Sequence, residues 1–307
     1  MTHPATLSVQ TNQAPDEHSL AVFGADDFGL KHLGGGVATE HWQGPGEHFQ
    51  MLTVEQRQPI DQDPAEAVRA AYRALYAAAE DTGLTDAVRI WQFMPGINAG
   101  LGDQERYRRF CVGRAAALND LGLTEDGMCA ATAIGIPETA SGTSFKLMAL
   151  FARQPGQSIE NPRQVSAWRY PRRYGPTSPA FARATTVFIN GVNDSQGLAA
   201  MVSGTAAVVG HASAHPGNVL AQTDEAMTNV EAVLKEASQV SGQPFGSVGA
   251  ATVVRAYVRH AEDWPNVAEV IQQRWPEVSI MGLEGDVCRA ELLVELEAWH
   301  PSQSTHP

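Results

Sequence analysis

The sequence predicts an α+β fold in which one structural unit occurs twice, so that the chain has two halves, each with a mixed β-sheet backed by helices. Two observations support this prediction. A stretch with the 3.6-residue apolar spacing of a helix is followed by a strand-like run, once within 65–98 and again within 221–266. Both strand-like runs carry Val-Arg and an aromatic residue, and both end in a turn that contains Pro and Asn. Repetition in this order favours two copies of a β-α-β-α-β unit.

Each half can be divided into elements in chain order. The first half is predicted to contain a helix over 65–84, a strand over 87–98, a helix over 105–122, and strands over 128–136 and 144–153. The second is predicted to contain a helix over 221–238, a strand over 251–266, a helix over 266–275, and strands over 279–286 and 285–300. We therefore expect two domains, 1–160 and 161–307.

The segment between the halves, 154–179, is rich in Pro, Gly and polar residues. It is too long for a plain turn, and long connections in compact proteins commonly carry function. We expect it to contribute residues to a binding site.

Composition excludes several classes of protein. A net charge of −13 over 307 residues argues against nucleic-acid binding through bulk electrostatics. No apolar run approaches the roughly 18 residues of a membrane span, and the first residues lack the pattern of a signal peptide, so we expect a cytoplasmic protein without a membrane partner. The three cysteines, Cys111, Cys129 and Cys288, are far apart without a CxxC motif, and we expect free thiols.

Arginine dominates the basic residues, because only three of the 21 are lysines. The codon bias of a GC-rich genome would give the same excess. The arginines are nevertheless clustered: one group comprises Arg106, Arg108, Arg109 and Arg114, and the other Arg163, Arg169, Arg172, Arg173 and Arg183. Planar guanidinium groups bind carboxylates through paired hydrogen bonds, so the clusters favour a small polyanionic ligand.

The last predicted strand, GDVCRAELLVELEAWH (285–300), has two different faces. Side chains alternate along a strand, so the even positions form an apolar core face. The odd positions are Arg289, Glu291, Leu293, Glu295, Glu297 and Trp299. This second face is directed either at water or into an active-site cleft.

A metal site is a weaker alternative. His211 and His215 have the HxxxH spacing, but the glycines and the proline around them indicate a loop, and no glutamate completes an HExxH motif. We expect no metal and no cofactor, and we treat His215 as a candidate substrate contact.

Several motifs in a fixed order resemble known families. The second half, from YGPTSPAFARA through MVSGTAAVV to the terminal strand, resembles the small reactive-intermediate deaminases. The first-half motifs RIWQFMPGIN, ERYRRFCVGRA and CAATAIG, together with RRYGPTSPAFARA, resemble the chorismatase family over about 23–300. This resemblance implies two tandem deaminase-like halves and removal of the enolpyruvyl ether of chorismate as pyruvate.

The resemblance assigns the catalytic acid to Glu295. Cleaving an enol ether requires a proton on its methylene carbon, and therefore an acid that remains protonated near neutral pH. Burial and nearby negative charge raise the pKa of a glutamate in a cleft that binds a dianion. Glu291 and Glu297 are then expected to face solvent or to form ion pairs.

The resemblance also implies a role for Cys288. A cysteine seven residues before the glutamate is typical of the family members that form hydroxybenzoate, in which a ring hydroxyl displaces the ether internally. Seven residues along an unbroken strand place two side chains on opposite faces, so either a bulge brings Cys288 into the cleft or it is a core residue. We assign the second product-steering position to Ala206, where an alanine leaves a mixture of 3- and 4-hydroxybenzoate open.

For substrate binding the resemblance suggests a further set of residues. The candidates are Arg106, Arg114, Tyr174, Arg183 and Arg259. Arg172 or Arg173 could replace Arg183, Arg259 could instead pair with a nearby acid, and Arg289 could hold a substrate carboxylate unless Glu291 neutralises it.

We therefore expect a monomeric chorismatase that yields 3-hydroxybenzoate and pyruvate. The alternatives are a hydrolase that forms the dihydroxycyclohexadiene acid, an imine deaminase, and a metabolite-binding protein without activity.

Overall fold

Two mixed β-sheets pack face to face, and each carries two helices on its outer surface. The computed structural model describes residues 8–11, 32–35, 49–57, 61–124, 127–136, 144–190 and 196–303. The helices are α1 (Ala65–Thr82), α2 (Arg106–Asp120), α3 (Val219–Ser241) and α4 (Trp264–Arg274). No helix within these ranges is long and apolar enough to cross a membrane.

The strands divide between a five-stranded and a seven-stranded sheet. The first sheet contains β1 (Ser8–Thr11), β3 (Phe49–Arg57), β4 (Asp86–Pro95), β5 (Ala130–Ile136) and β6 (Ser144–Ala152), in the order β1-β3-β6-β4-β5. The second contains β2 (His32–Gly35), β7 (Gln157–Ile159), β8 (Ala184–Asn190), β9 (Gln196–Ala206), β12 (Val253–Val258), β13 (Ser279–Glu284) and β14 (Val294–Pro301). Its order is β2-β13-β12-β14-β9-β8-β7. Two short strands, β10 (Val208–Val209) and β11 (Ala212–Ser213), form a separate hairpin.

The first sheet is covered by α1 and α2. The buried positions of α1 recur at helical spacing, and Gly83 ends the helix in the left-handed conformation with φ of 71°. The two helices cross closely at Gly113, where a Cβ would lie 2.1 Å from the carbonyl oxygen of Ala65. This contact fixes the position of α2, and with it the direction of the neighbouring Arg114.

The second sheet is covered by α3 and α4, and β14 lies near its centre. Val294, Leu296 and Ala298 face these helices in one apolar core. Burial of a side chain such as Leu296, which is fully buried, contributes about 1.5–3 kcal/mol. The alternate side chains of β14 are directed at the first sheet, and Trp299 joins the apolar layer between the sheets.

Most predicted elements are present, and the α+β prediction of two mixed sheets backed by helices is confirmed. Two strand predictions need correction. The strand predicted over 251–266 ends at Val258, and a turn and α4 follow it. The strand predicted over 285–300 begins only at Val294, because residues 285–293 form a loop.

The two sheets do not divide the chain at a single residue. Strands β2 and β7 both precede residue 160, yet they pair within the second sheet, β2 with β13 and β7 with β8. The domain boundary at 160/161 therefore remains a prediction.

Candidate active site

A cavity of about 520 Å³ opens between the two sheets. It receives residues from β4, α2 and β5 of the first half, and from the segment before β8, from β9, β10 and β14, and from the 285–293 loop of the second. The 154–179 segment supplies Gln164, Tyr170, Arg173, Tyr174 and Pro179, as its length suggested. The volume falls within the roughly 300–1,000 Å³ that is typical of small-molecule sites.

Glu295 extends from β14 into this cavity and is 5% exposed. Its partner across the β14–β9 ladder is Ala206, a small residue that also lines the cavity. Room for the carboxyl group comes from Gly204 on β9, where a Cβ would lie only 2.0 Å from Oε1 of Glu295. A Cβ at position 204 would therefore displace the carboxyl group of Glu295.

The environment of Glu295 keeps its carboxyl group protonated at neutral pH. Burial, reinforced by the negative charge of Glu297, raises the pKa of Glu295 from 4.5 to about 8. Arg89 and Arg183 oppose this shift without cancelling it. A carboxyl group with this pKa can act as a general acid near pH 7.

Glu297 lies two residues further along the same face of β14, and its pKa is shifted in the opposite direction. Hydrogen bonds reach its carboxylate from Thr132 Oγ1 at 2.7 Å, Tyr257 OH at 3.1 Å and Trp91 Nε1 at 3.2 Å. Ion pairs reach it from Arg89, at 2.5 Å, and from Arg255. Burial tends to raise the pKa of Glu297, but the two guanidinium groups outweigh it and hold that pKa below its ordinary value.

The Glu297 network also joins the two halves. Arg89, Trp91 and Thr132 belong to the first sheet, whereas Arg255, Tyr257 and Glu297 belong to the second. The hydroxyl of Thr132 accepts a hydrogen bond from the backbone N–H of Gly204 at 2.9 Å. The charged Glu297 is thus connected through Thr132 to Gly204, the glycine that lies beside the protonated Glu295.

Two buried arginines face the cavity without a carboxylate partner in the described part of the chain. Arg114 is 4% exposed and Arg183 is 5% exposed. The Nε atoms of both are buried and have no hydrogen-bond partner among the described residues. Arg183 donates from Nη2 to the hydroxyl of Tyr170 at 2.8 Å and to the carbonyl of Val165 at 3.0 Å. Buried guanidinium groups of this kind are suited to bind carboxylates of a ligand.

A third arginine forms part of the cavity mouth. The guanidinium of Arg289 lies 4.0 Å from the ring centroid of Tyr174 and donates to Oγ of Ser213 at 3.0 Å. Glu291 accepts from the same hydroxyl at 2.7 Å and makes no ion pair with Arg289 among the described residues. Arg289 therefore lines the cavity without a carboxylate partner among the described residues.

The cavity is cationic although the chain is acidic. Five arginines line it, namely Arg108, Arg114, Arg173, Arg183 and Arg289, against the three glutamates Glu105, Glu291 and Glu295. With Glu295 protonated, the excess of positive charge is larger still. This balance favours an anionic ligand.

Cys288 lies in the 285–293 loop and lines the cavity. Because this loop is not a strand, the opposite-face problem does not arise, and no bulge is needed to bring Cys288 and Glu295 to one site. Burial, together with the nearby Glu295, raises the pKa of the Cys288 thiol to about 12. The side chain is a neutral thiol at physiological pH and not a thiolate nucleophile.

Comparison with known proteins is consistent with these features. The model of the chorismatase FkbO/Hyg5-like N-terminal domain matches residues 35–149. A 3-hydroxybenzoate synthase from Streptomyces hygroscopicus is 40% identical over 76% of this chain and 68% of its own length. This chain belongs to the chorismatase family.

Two further relatives agree with that assignment. A chorismatase from Streptomyces rapamycinicus is 35% identical over 76% of this chain and 69% of its own length. A crystal structure of a chorismatase superposes with a TM-score of 0.72 at 31% identity, over 82% of this chain and 76% of that one.

The structure places three predicted site residues of this chorismatase outside the cavity lining. Arg106 donates from Nε to the carbonyl of Pro95 at 3.0 Å and from Nη1 to that of Gln62 at 2.8 Å, so its guanidinium supports backbone. His215 pairs with Glu225 at 3.1 Å in an exposed turn. Arg259 pairs with Asp286, at 2.5 Å, and not with the acids that follow it in sequence.

Other predicted residues of the chorismatase come together as expected, and some contributors were not predicted. Glu295, Cys288, Arg114, Tyr174, Arg183 and Ala206 all line the one cavity. Gln92, Tyr107, Tyr170, Phe181 and Gly204 line it as well. Gly204 lies in the MVSGTAAVV run, but its close approach to Glu295 depends on strand pairing that the sequence does not specify.

Proposed function

We propose that this chain is a chorismatase that removes the enolpyruvyl group of chorismate as pyruvate and leaves 3-hydroxybenzoate. The observation that carries the proposal is a protonated, buried Glu295 in a cavity lined by the buried guanidinium groups of Arg114 and Arg183, which have no carboxylate partner among the described residues. The reaction requires an acid that protonates the enol ether and positively charged groups that bind the two carboxylates of the substrate.

Substrate binding depends on Arg114 and Arg183 in this proposal. Chorismate carries one carboxylate on its ring and another on its enolpyruvyl group, and the two buried guanidinium groups would each bind one. Tyr174 and Ala206 would contact the substrate between them. Among the arginines of the 154–179 segment and its flank, Arg183 is favoured because it is buried in the cavity, whereas Arg172 pairs with Asp103 at 2.5 Å outside it and Arg173 is exposed.

Glu295 would begin the reaction by donating its proton to the methylene carbon of the enol ether. The bond between the ether oxygen and the ring carbon then breaks, and the oxygen keeps the electron pair and becomes the keto oxygen of pyruvate. The neighbouring ring hydroxyl supplies the oxygen that replaces it, and its proton returns to Glu295. The original C–O bond of that hydroxyl then breaks, and the newly oxygenated ring carbon loses its C–H proton while the oxygen gains one, so the ring becomes aromatic with no water consumed.

The side chain of Cys288 favours formation of 3-hydroxybenzoate over formation of the dihydroxycyclohexadiene acid. A neutral thiol in the loop that faces Glu295 fills space next to the reacting ring and would exclude a competing water. The relative named as a 3-hydroxybenzoate synthase is more similar to this chain, at 40% identity, than those named chorismatases, at 35%. Ala206 is the proposed control on any accompanying 4-hydroxybenzoate.

The enzyme is further proposed to act as a cytoplasmic monomer on a small molecule alone. The cavity lies between two sheets of one chain, so a second copy is not needed to enclose it. The three cysteines are free thiols, in keeping with a reducing compartment.

Incubation of purified protein with chorismate tests the activity. Pyruvate is measured by coupled lactate dehydrogenase, and the ring products are separated by chromatography with authentic 3- and 4-hydroxybenzoate as standards. We expect equal amounts of pyruvate and hydroxybenzoate. Binding of chorismate without pyruvate would indicate a metabolite-binding protein, and ammonia release from imino acids without reaction of chorismate would indicate a deaminase.

The variant Cys288→Ala tests the product assignment. With the thiol removed, water can reach the ring, so we expect the product to shift from 3-hydroxybenzoate toward the dihydroxycyclohexadiene acid. Accumulation of the diene acid by the wild-type enzyme would instead favour the hydrolytic type.

A further inference from the structure

Residues 285–293 connect β13 to β14 and carry Cys288 to the cavity. The loop begins with a short bridge in which Asp286 and Gly135 exchange backbone hydrogen bonds of 2.8 and 3.1 Å. It ends where the backbone N–H of Leu293 donates to Oε1 of Gln222 at 2.8 Å. Between these points, the part that contains Cys288 is held mainly by one side chain.

That side chain is Arg259, the residue that directly follows β12. Its Nε donates to the carbonyl of Leu292 at 2.9 Å, and its Nη1 donates to Oδ1 of Asp286 at 2.5 Å. Its Nη2 donates at 3.0 Å to two carbonyls, those of Val287 and Arg289. One guanidinium therefore binds four points of a single loop, and its backbone N–H binds a fifth, the carbonyl of Leu293 at 2.9 Å.

The two carbonyls on Nη2 belong to the residues immediately before and after Cys288. Holding both of them fixes the peptide plane that precedes Cys288 and the one that follows Arg289, and this restrains the backbone around the cysteine and the direction of its Cα–Cβ bond. Val287, which is fully buried against Ala207 and Leu292, strengthens this restraint. The anchor is rigid because Arg259 continues a central strand of the sheet.

We propose that Arg259 is a positioning residue that holds the thiol of Cys288 against the reacting ring and thereby sets the partition between the aromatic and the hydrated product. The proposal rests on the chorismatase activity proposed above. It moves Arg259 from a predicted substrate contact to a residue that acts through Cys288.

Both products arise from the same bond cleavage, so the partition can change without a change in pyruvate yield. In one route the ring hydroxyl forms the new C–O bond and returns its proton to Glu295. Its original C–O bond then breaks, and the ring carbon loses a proton while the oxygen gains one. In the other route a water molecule forms that bond and returns its proton to Glu295, so that one water is consumed for each diene acid. Displacement of Cys288 admits water and favours the second route.

The variants Arg259→Gln and Arg259→Lys test this role, with Arg274→Gln as the matched control. Gln keeps a polar side chain but cannot reach four partners, and Lys keeps the charge for Asp286 but loses the planar fork. Arg274 lies in the same half and joins α4 to α3 through Asp224, Thr228 and Glu231, remote from the cavity lining. Its loss removes a comparable number of hydrogen bonds without touching the loop.

We expect Arg259→Gln to raise the ratio of diene acid to pyruvate roughly tenfold, since misplacement of a positioned group by about 1 Å can change a rate up to ~100-fold. Arg259→Lys should give a smaller shift in the same direction. It also provides the test of the proposal if the Gln variant fails to fold. The double variant Cys288→Ala, Arg259→Gln should give the same ratio as Cys288→Ala alone. An unchanged ratio, a similar shift in Arg274→Gln, or additive effects in the double variant would overturn the proposal.

Alkylation of Cys288 provides a second readout that does not depend on activity. The rate at which iodoacetamide labels the Cys288 peptide, followed by mass spectrometry, should rise in Arg259→Gln and stay unchanged in Arg274→Gln. If the wild-type protein released no pyruvate, the activity proposal would fail and the partition with it, whereas the labelling rates would still decide whether Arg259 holds Cys288 in place. Equal labelling in all variants would show that it does not.

Discussion

The pH dependence of the reaction follows from the pKa of Glu295. A glutamate with its ordinary pKa of 4.5 is protonated to only about 0.3% at pH 7, whereas one with a pKa of about 8 is protonated to roughly 90%. The environment of the strand therefore increases the amount of active acid by about 300-fold. We expect kcat/KM to be constant from pH 6 to about 7 and to fall tenfold per pH unit above 8.

Glu297 supplies part of this shift, and its share can be calculated from the geometry. Residues two apart on a strand are separated by about 6.6 Å, and at an effective dielectric constant of about 20 two negative charges at that distance repel by roughly 2.5 kcal/mol. This corresponds to somewhat less than about 2 pKa units. In Glu297→Gln, Arg89 and Arg255 also lose their counter-charge, so we expect the midpoint of the pH profile to move below 8.

The assay measures initial rates of pyruvate release in samples stopped at each pH, so that no coupling enzyme is exposed to alkali. Carboxylates of the substrate are ionised throughout the range from pH 6 to 10, and the pKa of Cys288, about 12, lies above this range. A decrease centred near 8 therefore reports Glu295. A profile that stays flat to pH 10, or a decrease centred below pH 6, would refute the reasoning.

Stability provides an independent check with a definite sign. The folded-state pKa of Glu295 lies above its ordinary value, so the folded protein binds this proton more tightly than the unfolded chain. The resulting stabilisation is complete below about pH 4.5 and is lost as pH rises through 8, with an upper limit on the order of 5 kcal/mol. Glu295→Gln cannot titrate, so we expect this inactive variant to have a higher Tm than the wild type at pH 9. A lower Tm at that pH would contradict the assignment.

Two further predictions concern the shape and the charge of the cavity. Gly204→Ala places a Cβ 2.0 Å from Oε1 of Glu295 and should reduce kcat about 100-fold, whereas Gly127→Ala, with open space around it, should not. Arg114→Met and Arg183→Met should each raise KM by roughly 10- to 100-fold, because a charged hydrogen bond contributes about 1.5–3 kcal/mol. The control for these is Arg109→Met, on the same helix as Arg114 but paired with Asp63 at the surface, for which initial rates should show an unchanged KM.

Much of the fold could be predicted because local patterns and tertiary structure agree. Helix α1 is an example, since its 3.6-residue apolar spacing and the glycine after it are both local signals. The terminal strand is the instructive exception. Alternation from Cys288 onward satisfied the strand pattern, but Arg259 binds the backbone carbonyls of 287, 289 and 292 that a strand would use for pairing. Hydrogen bonds to a backbone segment from a side chain that is distant in sequence leave no local sequence pattern from which they could be predicted.

The candidate site was predictable where the family motifs identify residues, and less so where orientation decides the role. Arg106 and Arg114 lie two helical turns apart on α2 and both are buried, yet only Arg114 reaches the cavity. The guanidinium of Arg106 is turned instead toward the carbonyls of Pro95 and Gln62. Spacing places the two on similar faces, and only the neighbouring loops determine which of them meets the ligand.

Glu295 and Glu297 show how one strand can hold the same residue in two protonation states. Both face the other sheet and both are almost fully buried, so desolvation raises the pKa of each. The difference lies in their partners, because two arginines and three hydrogen-bond donors converge on Glu297, while Glu295 meets the glycine and alanine of β9. Since breaking a buried ion pair costs about 3–5 kcal/mol, Glu297 remains charged, and its fixed charge helps keep Glu295 neutral. The hydrogen bonds and ion pairs of Glu297, which join the two sheets, therefore also help to keep Glu295 protonated at neutral pH.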